Sequence, residues 1–390
     1  MRVLIAPDAF KGSLDPLAVA RALRDGWQRA RGSDSVQLAP LADGGEGTID
    51  AIKAADAASG AGPGGDWIEL PAHARDPLGR PIRSSFLRRR EEGVIELALT
   101  SGLSVVPPEE RDPMAASTFG TGLVLAAAIG LGVRQVVLGL GGSATTDGGA
   151  GLLTALGVQF LDSAGHDIPP GGGGLVALSR VDLREVAPVL AEVSLTIASD
   201  VTNPLLGELG AAAVYGPQKG ADEEQVRRLD ANLAHYADVL EAASGRSIRD
   251  VAGAGAAGGT TAGLLAIAHR FASFQVRPGV EVVMELTGFD AALEDADLVL
   301  TGEGRVDDQT PFGKTAFGVA RRAQSAGRSC VCFCGGATVE GISALAALGT
   351  IVVPTVEQPM ALDDAIAAGR EPLVRAAERA ARLVSIHAGD

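Results

Sequence analysis

The sequence predicts an α/β protein whose main domain is a doubly wound, mainly parallel, Rossmann-like sheet. Short apolar runs alternate with helical patterns towards both ends of the chain, which is typical of parallel βαβ units. Glycine-rich polar loops follow nearly every predicted strand, and the 52 glycines are clustered at these loops rather than spread as a repeat. At 390 residues, the chain is long enough for two domains, or for one domain with a large insertion.

The N-terminal segment predicts two strands and two helices. Residues 3–6 form an apolar run typical of a buried strand. Asp15 and Pro16 supply an N-cap and a first helical position, so a helix is predicted to about Arg31. A second strand is expected over residues 36–39, followed by the loop ADGGEGT and a helix ending near Ala58. The run GAGPGG at residues 60–65 predicts a linker.

The rest of the chain predicts an insertion within the Rossmann-like domain. From about Asp290 the strands DLVL, SCVCF and IVV alternate with helices, the last of them long. Between the two ends, residues 67–98 predict antiparallel strands with a DPLG turn, followed by strand–loop–helix units at QVVLGLGGS and LTIASDVTN. We therefore expect a Rossmann-like domain of residues 1–65 and 288–390, an inserted mixed α/β domain of residues 66–287, and an interdomain cleft.

Composition and charge exclude several classes of function. The formal net charge of −15 disfavours binding to nucleic acid or to an anionic membrane. The opening run is too short for a signal peptide, and no apolar stretch has transmembrane length. Together with only three cysteines, this predicts a cytoplasmic protein. The sequence does not specify an oligomeric state, and a homo-oligomer is compatible with it.

The few lysines are concentrated in glycine-rich motifs. The chain has four lysines against 29 arginines, and Lys11, Lys219 and Lys314 lie in PDAFKGSL, YGPQKGA and PFGKTA. A chain that uses arginine elsewhere indicates a need for a compact ammonium group at these sites, as in phosphate binding. Chance placement is the alternative.

The loop GLGGSATTDGGAG, Gly139 to Gly151, suits an anion. It is neither a Walker A motif nor a dinucleotide-binding GxGxxG motif, and the GKT at residues 313–315 lacks the Walker glycine. Its amides could approach an anion closely, Ser143 and Thr145 add hydroxyl donors, and Asp147 could hold a metal or accept a proton. Tight packing of a strand against a helix explains the glycines equally well.

Three further loops gather polar side chains after predicted strands. TGEGRVDDQTPFGKT combines acidic with basic side chains, a set that suits Mg²⁺ with a phosphate chain. ADGGEGT adds two carboxylates, and SDVTNP adds a carboxylate and an amide that could ligate a metal or orient a hydroxyl. Helix capping, a solvated face and an Asx turn are the corresponding structural alternatives. The residues of interest are Glu303, Arg305, Asp307, Lys314, Asp43, Glu46, Asp200 and Asn203.

Cysteine and histidine do not indicate a site. Cys330, Cys332 and Cys334 alternate on one predicted strand, and they lack the CxxC spacing and nearby histidine of a zinc site. We therefore expect three buried thiols on one strand face. The five histidines lie outside the glycine-rich loops, which argues against a histidine-driven nucleophile.

Taken together, these loops resemble those of the bacterial glycerate kinases of glyoxylate and glucarate catabolism. The similar stretches are APDAFKGSL, PLADGGEGT, LGLGGSATTDGGAG, ASDVTNPLLG, YGPQKGA, GAAGGT and TGEGRVDDQTPFGKT, which occur in the family's order from residue 5 to beyond residue 330. Ala9 departs from the family pattern, where serine is more frequent. The resemblance implies a two-domain kinase that uses ATP and Mg²⁺ to phosphorylate D-glycerate, leaning towards 2-phosphoglycerate and a place in glyoxylate metabolism.

Within that resemblance, the roles of individual residues are physical hypotheses. Asp200, Lys11 and Asp43 are the candidate catalytic residues, with Asp200 favoured as the base. Ser13, Glu46, Asn203 and Arg305 are the candidates for binding glycerate, and Glu303 and Asp307 for binding the metal; Lys11 and Ser13 suit either phosphate or the glycerate carboxylate. The candidates for binding ATP are Gly141, Gly142, Ser143, Thr145, Asp147, Lys219 and Lys314.

Three other functions compete with this one. Phosphorylation of the 3-hydroxyl by the same site is the nearest alternative. GLGGSA is close to the GLxSSA loop of the galactokinase and homoserine kinase superfamily, but that fold does not begin with a parallel sheet. A two-lobed protein that binds a small acid without catalysis would normally need an export signal. ATP turnover stimulated by glycerate would separate the last two from the leading hypothesis.

Overall fold

The structure, a computed structural model, describes residues 1–58, 66–311 and 314–386. These residues divide into two compact units. Unit 1 comprises the described residues of Met1–Asp43, Gly47–Asp66 and Pro278–Asp390, and unit 2 comprises Gly44–Glu46 and Trp67–Arg277. The linker predicted at residues 60–65 lies outside the described residues.

Unit 1 is built around a five-stranded sheet in which every pair of neighbouring strands is parallel. The strand order is β13-β12-β11-β1-β2. The strands are β1 (Arg2–Ile5), β2 (Ser35–Leu38), β11 (Leu298–Val306), β12 (Ser329–Ala337) and β13 (Thr350–Pro354).

Helices cover both faces of this sheet, as expected for a doubly wound fold. On one face the first and last helices pack against each other around buried Trp27, and on the other face buried helical side chains surround Phe289. The helices of unit 1 are α1 (Pro16–Ala30), α2 (Thr48–Ala58), α9 (Gly279–Thr287), α10 (Phe289–Asp295), α11 (Thr315–Ser325), α12 (Val339–Ala346), α13 (Leu362–Ala367) and α14 (Glu371–Ile386).

Unit 2 contains a mixed six-stranded sheet with the order β10-β9-β6-β5-β4-β3. Its first four strands in this order are parallel, and β4 and β3 extend it as an antiparallel hairpin. A separate two-stranded antiparallel sheet is formed by β7 and β8, which lie between β6 and β9 in the sequence. The strands are β3 (Ile68–Arg75), β4 (Pro81–Arg89), β5 (Glu92–Glu96), β6 (Gln135–Gly139), β7 (Gln159–Leu161), β8 (Arg180–Asp182), β9 (Ser194–Ala198) and β10 (Ser273–Arg277).

The helices of unit 2 enclose one extensive apolar core with the sheet. The longest helix begins with a capping box, in which Asp222 and Gln225 satisfy each other's backbone N–H groups. The helices are α3 (Ala98–Ser101), α4 (Phe119–Gly130), α5 (Ala150–Ala155), α6 (Ala211–Tyr215), α7 (Glu223–Ser244) and α8 (Ala256–Ala266).

The predicted fold class, mixed α/β with mainly parallel sheets, is confirmed. Asp15 caps α1 by accepting a hydrogen bond from the amide of Ala18, with Pro16 as the first helical residue. The helix α9 belongs to unit 1, whereas the predicted boundary at residues 287 and 288 places it in the insertion. The interdomain cleft stays a prediction.

Two predicted loops are strands in the structure. β11 continues through the TGEGRV motif, and β12 continues through the glycines after Cys334, because the two strands keep pairing as far as Val306 and Ala337. The three cysteines of β12 are all buried, as predicted. No helix in the described part of the chain is long and apolar enough to span a membrane.

Candidate active site

Three carboxylates of unit 1 lie at the carboxyl ends of neighbouring parallel strands. Asp8 follows β1, Asp43 follows β2, and Glu303 lies within β11. The backbone fixes these loops, since the amide of Asp8 donates to the carbonyl of Gly302 at 2.8 Å and the amide of Leu41 donates to the carbonyl of Pro7 at 2.9 Å. The chain leaves β1 towards β2 and leaves β11 in the opposite direction towards β12. This is the topological switch point at which open α/β sheets bind ligands.

Asp8 is held in place from two sides. The hydroxyl of Thr315, the first residue of α11, donates to Oδ2 of Asp8 at 2.6 Å, and the amide of Ala9 donates to Oδ1 at 2.6 Å. Burial and the nearby charge of Asp43 raise the pKa of Asp8 to about 7, and the hydrogen bond from Thr315 opposes this shift. Asp8 therefore has a fixed orientation and a carboxylate charge that a bound cation would stabilise.

Glu303 is the most deeply buried carboxyl group of this cluster. Thr310 Oγ1 donates to its Oε1 at 3.2 Å, and Lys314 Nζ lies 3.6 Å from its Oε2. Burial raises the pKa of Glu303 to about 7; the charge of Lys314 opposes the shift and that of Asp8 adds to it. In the free protein Asp43 thus destabilises the charge of Asp8, and Asp8 destabilises that of Glu303, which favours a cation at this sheet edge.

Lysines accompany these carboxylates. Lys314 Nζ donates to Asp307 Oδ1 at 2.7 Å and to the carbonyl of Arg305 at 3.0 Å, so its position is fixed. The Lys11 side chain is 87% exposed, and its Nζ lies 4.0 Å from Asp43 Oδ2. One fixed and one exposed ammonium group give this edge the means to neutralise an anionic ligand.

Ser13 lies in the segment after β1, Arg305 lies near the end of β11, and Asp307 directly follows β11. Ser13 Oγ donates to the carbonyl of Ile366 at 3.2 Å. Arg305 is 72% exposed, and its guanidinium lies 3.6 Å from Asp307. Asp307 is engaged by Lys314 and Arg305, so the structure shows it positioning cations, and its predicted role as a metal ligand stays a prediction.

In unit 2, the glycine loop after β6 exposes only its first part. Gly141 is half-buried and Gly142 is exposed, whereas Ser143, Thr145 and Asp147 are buried. Asp147 Oδ2 accepts hydrogen bonds from the amide and the hydroxyl of Thr118, both at 2.8 Å. Its carboxylate therefore shapes the loop, and its predicted contact with ATP stays a prediction.

A second glycine motif packs directly against this loop. Within α8, residues Ala257, Gly258 and Gly259 all have left-handed backbone angles, and the carbonyl of Gly258 accepts a hydrogen bond from the amide of Gly148 at 3.0 Å. A Cβ added at Gly258 would lie 2.0 Å from the carbonyl oxygen of Thr145. Close packing of the two loops therefore requires the glycine at residue 258 of GAAGGT.

The substitution Gly258→Ala is expected to destabilise the protein by about 3–5 kcal/mol, because it combines left-handed strain with a backbone clash. Gly245→Ala is the matched control: Gly245 also has a left-handed φ, but nothing lies within 4 Å of the added Cβ. The control should lose only about 1–2 kcal/mol. Urea unfolding measures both, and equal losses would contradict the close packing of the two loops.

Lys219 lies beneath the glycine loop. Its side chain is fully buried, and its Nζ donates to the carbonyl of Thr145 at 2.5 Å and to Ser143 Oγ at 3.0 Å. Burial lowers the pKa of Lys219 to about 7, although the charge of Asp147 opposes the shift. The predicted contact between Lys219 and the phosphate chain of ATP stays a prediction.

The depressed pKa of Lys219 predicts a stability that rises with pH. An unfolded lysine titrates at about 10.4, so between pH 7 and pH 10 the unfolded state binds the extra proton, and the native state gains stability as pH rises. The stability of the native protein relative to Lys219→Met should therefore increase by up to about 4 kcal/mol over that range. Urea unfolding of both proteins at pH 7 and pH 9.5 measures this difference, and a difference that is constant or falls with pH would contradict it.

The other candidates of unit 2 lie in the loop after β9 and in the short segment Gly44–Glu46. Asp200 lies two residues after the end of β9 and is half-buried. Asn203 donates to the carbonyl of Leu209 at 2.9 Å and accepts from the hydroxyl of Tyr215 at 2.8 Å, so its side chain orders the loop. Glu46 is exposed. The predicted roles of Asp200, Asn203 and Glu46 in catalysis and glycerate binding stay predictions.

No preformed metal centre is present across residues 1–58, 66–311 and 314–386, where no three His, Cys, Asp or Glu side chains are grouped to hold an ion.

The sequence did not predict that Asp8, Thr315 and Thr310 belong to the carboxylate cluster. Asp8 carried one available signal, namely its place directly after the first predicted strand. Thr315 carried none, because its contact with Asp8 joins distant parts of the sequence. Thr310 lies in the same motif as Glu303, but its side-chain contact with that residue has no sequence signature.

Comparison with known protein families identifies the family to which the chain belongs. The model of the family described as the glycerate kinase family matches residues 3–385. The chain belongs to the glycerate kinase family. It is therefore an enzyme of the phosphotransferase class, as the sequence resemblance predicts.

Individual relatives in this family match over most of their length. The glycerate kinase of Halalkalibacterium halodurans is 42% identical over 387 residues, which cover 98% of this chain and 97% of that protein. The glycerate 2-kinase of Escherichia coli K12 is 40% identical over 326 residues, covering 83% of this chain and 82% of that protein. A crystal structure of a protein provisionally named glycerate kinase 2, from Salmonella typhimurium LT2, matches with a TM-score of 0.80 and 37% identity, covering 100% of this chain and 99% of that chain.

Proposed function

We propose that the protein transfers the γ-phosphoryl group of ATP to the 2-hydroxyl of D-glycerate, giving 2-phosphoglycerate and ADP. The observation that carries the proposal is the pair of carboxyl groups of half-buried Asp8 and buried Glu303, with nearby Lys314 and exposed Lys11, at the switch point of the unit 1 sheet. The name of the Escherichia coli relative, glycerate 2-kinase, supports the choice of the 2-hydroxyl.

The donor set of unit 1 fits Mg²⁺. Asp8 and Glu303 offer carboxylate oxygens, the ligands that Mg²⁺ prefers. Their raised pKa values indicate that their negative charges are destabilised, so a bound cation would stabilise them. Kinase sites usually bind Mg²⁺ through one or two carboxylates together with phosphate oxygens, so a complete set of protein ligands is not required. Asp8 and Glu303 would hold the ion, which when bound supplies charge neutralisation at the phosphate chain.

Phosphoryl transfer then needs positioned charges and a place for one proton. An oxygen of glycerate forms a bond to the γ-phosphorus while the bond from that phosphorus to the ADP oxygen breaks. Lys11 and Lys314 would neutralise the transferring group, and Asp200 would accept the proton of the attacking hydroxyl. Asp43 would orient Lys11, whose Nζ lies 4.0 Å away.

The glycerate carboxylate requires donors or cations of its own. Arg305 is the exposed guanidinium next to the cluster, and Ser13 offers a hydroxyl in the loop that also carries Lys11. Arginine binds carboxylates in a planar, two-pronged geometry, which favours Arg305 for this role. The amides around Gly141 and Gly142 would approach phosphate oxygens in unit 2, because that turn reaches the surface. The assignments of Glu46 and Asn203 to glycerate follow from the sequence.

The experiment combines the protein with ATP, Mg²⁺ and D-glycerate, and adds enolase without phosphoglycerate mutase. Enolase consumes only the 2-phosphate, so formation of phosphoenolpyruvate is the expected result. ADP without phosphoenolpyruvate would contradict transfer to the 2-hydroxyl and point to the 3-hydroxyl. Absence of glycerate-dependent ADP formation would contradict the kinase function and favour binding of a small acid without catalysis.

We also assign the protein to glyoxylate metabolism and to the cytoplasm. The first assignment follows from the resemblance of its motifs to glycerate kinases of that metabolism. The second is supported by three thiols that are free and buried in β12.

A further inference from the structure

The buried position of Lys219 needs an explanation. A lysine charge removed from water is costly unless a partner compensates it. Lys219 is buried, and the charge of Asp147 only partly opposes the resulting fall in its pKa. Its ammonium donates hydrogen bonds to one hydroxyl, Ser143 Oγ, and to one backbone carbonyl, that of Thr145. Both partners belong to the glycine loop of unit 2.

The segment that carries Lys219 is fastened to the same loop. Arg111 donates to the carbonyls of Gln218 and Leu103, both at 3.4 Å, and the amide of Leu103 donates to the carbonyl of Gly142 at 2.9 Å. Leu103 therefore holds the exposed turn at Gly142, and Lys219 holds the residues that directly follow the turn. The amide of Ala144 also donates to the carbonyl of Ser101 at 2.9 Å, so residues 101–103 bind the loop at two points.

We propose that Lys219 is a positioning residue: by binding Ser143 and Thr145 from inside, it fixes the exposed turn at Gly141 and Gly142 in the conformation that receives the phosphate chain of ATP. This role replaces a direct contact of Lys219 with phosphate, which its burial disfavours. The inference rests on the proposed kinase function. It adds that a residue without access to ligand determines how well the nucleotide binds.

A double-mutant cycle tests the inference. Lys219→Met removes the ammonium at similar volume, and Ser143→Ala removes the hydroxyl that it binds. Each single variant is expected to raise the KM for ATP by about 10- to 100-fold while kcat stays within about threefold, because the turn is displaced rather than the reacting groups. If Lys219 acts through Ser143, the double variant should be no worse than Lys219→Met alone.

Multiplicative effects in the double variant, or an unchanged KM in Lys219→Met, would overturn the inference. Lys219→Gln is the second variant if Lys219→Met does not fold, because its amide keeps a hydrogen-bond donor towards Ser143. It should raise the KM for ATP less than Ser143→Ala does. The wild-type assay separates the two levels of failure. Wild-type protein that forms no ADP with glycerate contradicts the proposed function and this inference with it, whereas an active wild type with uncoupled variants contradicts this inference alone.

Discussion

The substitution Asp8→Asn is expected to lower kcat by about 10²–10³-fold, the loss typical of removing one charge partner of a transition state. The amide keeps the shape of the side chain and can still accept a hydrogen bond from the hydroxyl of Thr315. It cannot supply the negatively charged oxygen that favours Mg²⁺ binding. The expected signature is therefore a fall in kcat with an increased requirement for Mg²⁺, measured as ADP release over a magnesium titration.

Asp363→Asn is the matched control for Asp8, since Asp363 is an exposed carboxylate of α13 in the same unit. It should leave turnover within about twofold. Near-normal turnover of Asp8→Asn at low magnesium would show that the cluster at the switch point is not the metal-binding site of the enzyme. Circular dichroism of both variants confirms that the sheet is intact.

The substitution Asp200→Asn is expected to reduce kcat by about 10²–10³-fold through the loss of the general base. Because the residue acts on the acceptor hydroxyl, the KM for ATP should change little, which distinguishes this variant from Lys219→Met. Steady-state kinetics with ATP and D-glycerate varied in turn measure both parameters. Asp250→Asn, an exposed carboxylate of unit 2, is the control. A kcat within threefold of wild type in Asp200→Asn would assign the base to another residue.

The elements with strong local signals were predictable from the sequence. Asp15 and Pro16 mark the start of α1, and Asp15 is the N-cap as predicted. The alternating polar and apolar residues around DPLG likewise predict the hairpin of β3 and β4. These signals depend on neighbours in the chain, and no tertiary information is needed to interpret them.

Features that depend on distant partners were not predictable to the same degree. Glu303 was expected in a loop, and it lies in a strand because β12 continues to pair beside it. Asp8 joins the cluster because its amide bonds to Gly302, which lies almost three hundred residues later in the chain. The burial of Lys219 is also invisible in YGPQKGA, since the hydroxyl and the carbonyl that receive its ammonium come from a loop more than seventy residues earlier.

The central claim, transfer of phosphate from ATP to the 2-hydroxyl of D-glycerate, is tested most directly by a ³¹P NMR spectrum of the reaction products. The spectrum is recorded with coupling to protons after the protein has acted on ATP, Mg²⁺ and D-glycerate. Phosphate on C2 is coupled to a single proton, so a new phosphomonoester doublet, accompanied by ADP, is predicted. A triplet would show phosphate on C3, and a spectrum in which only ATP remains would contradict the proposed reaction itself.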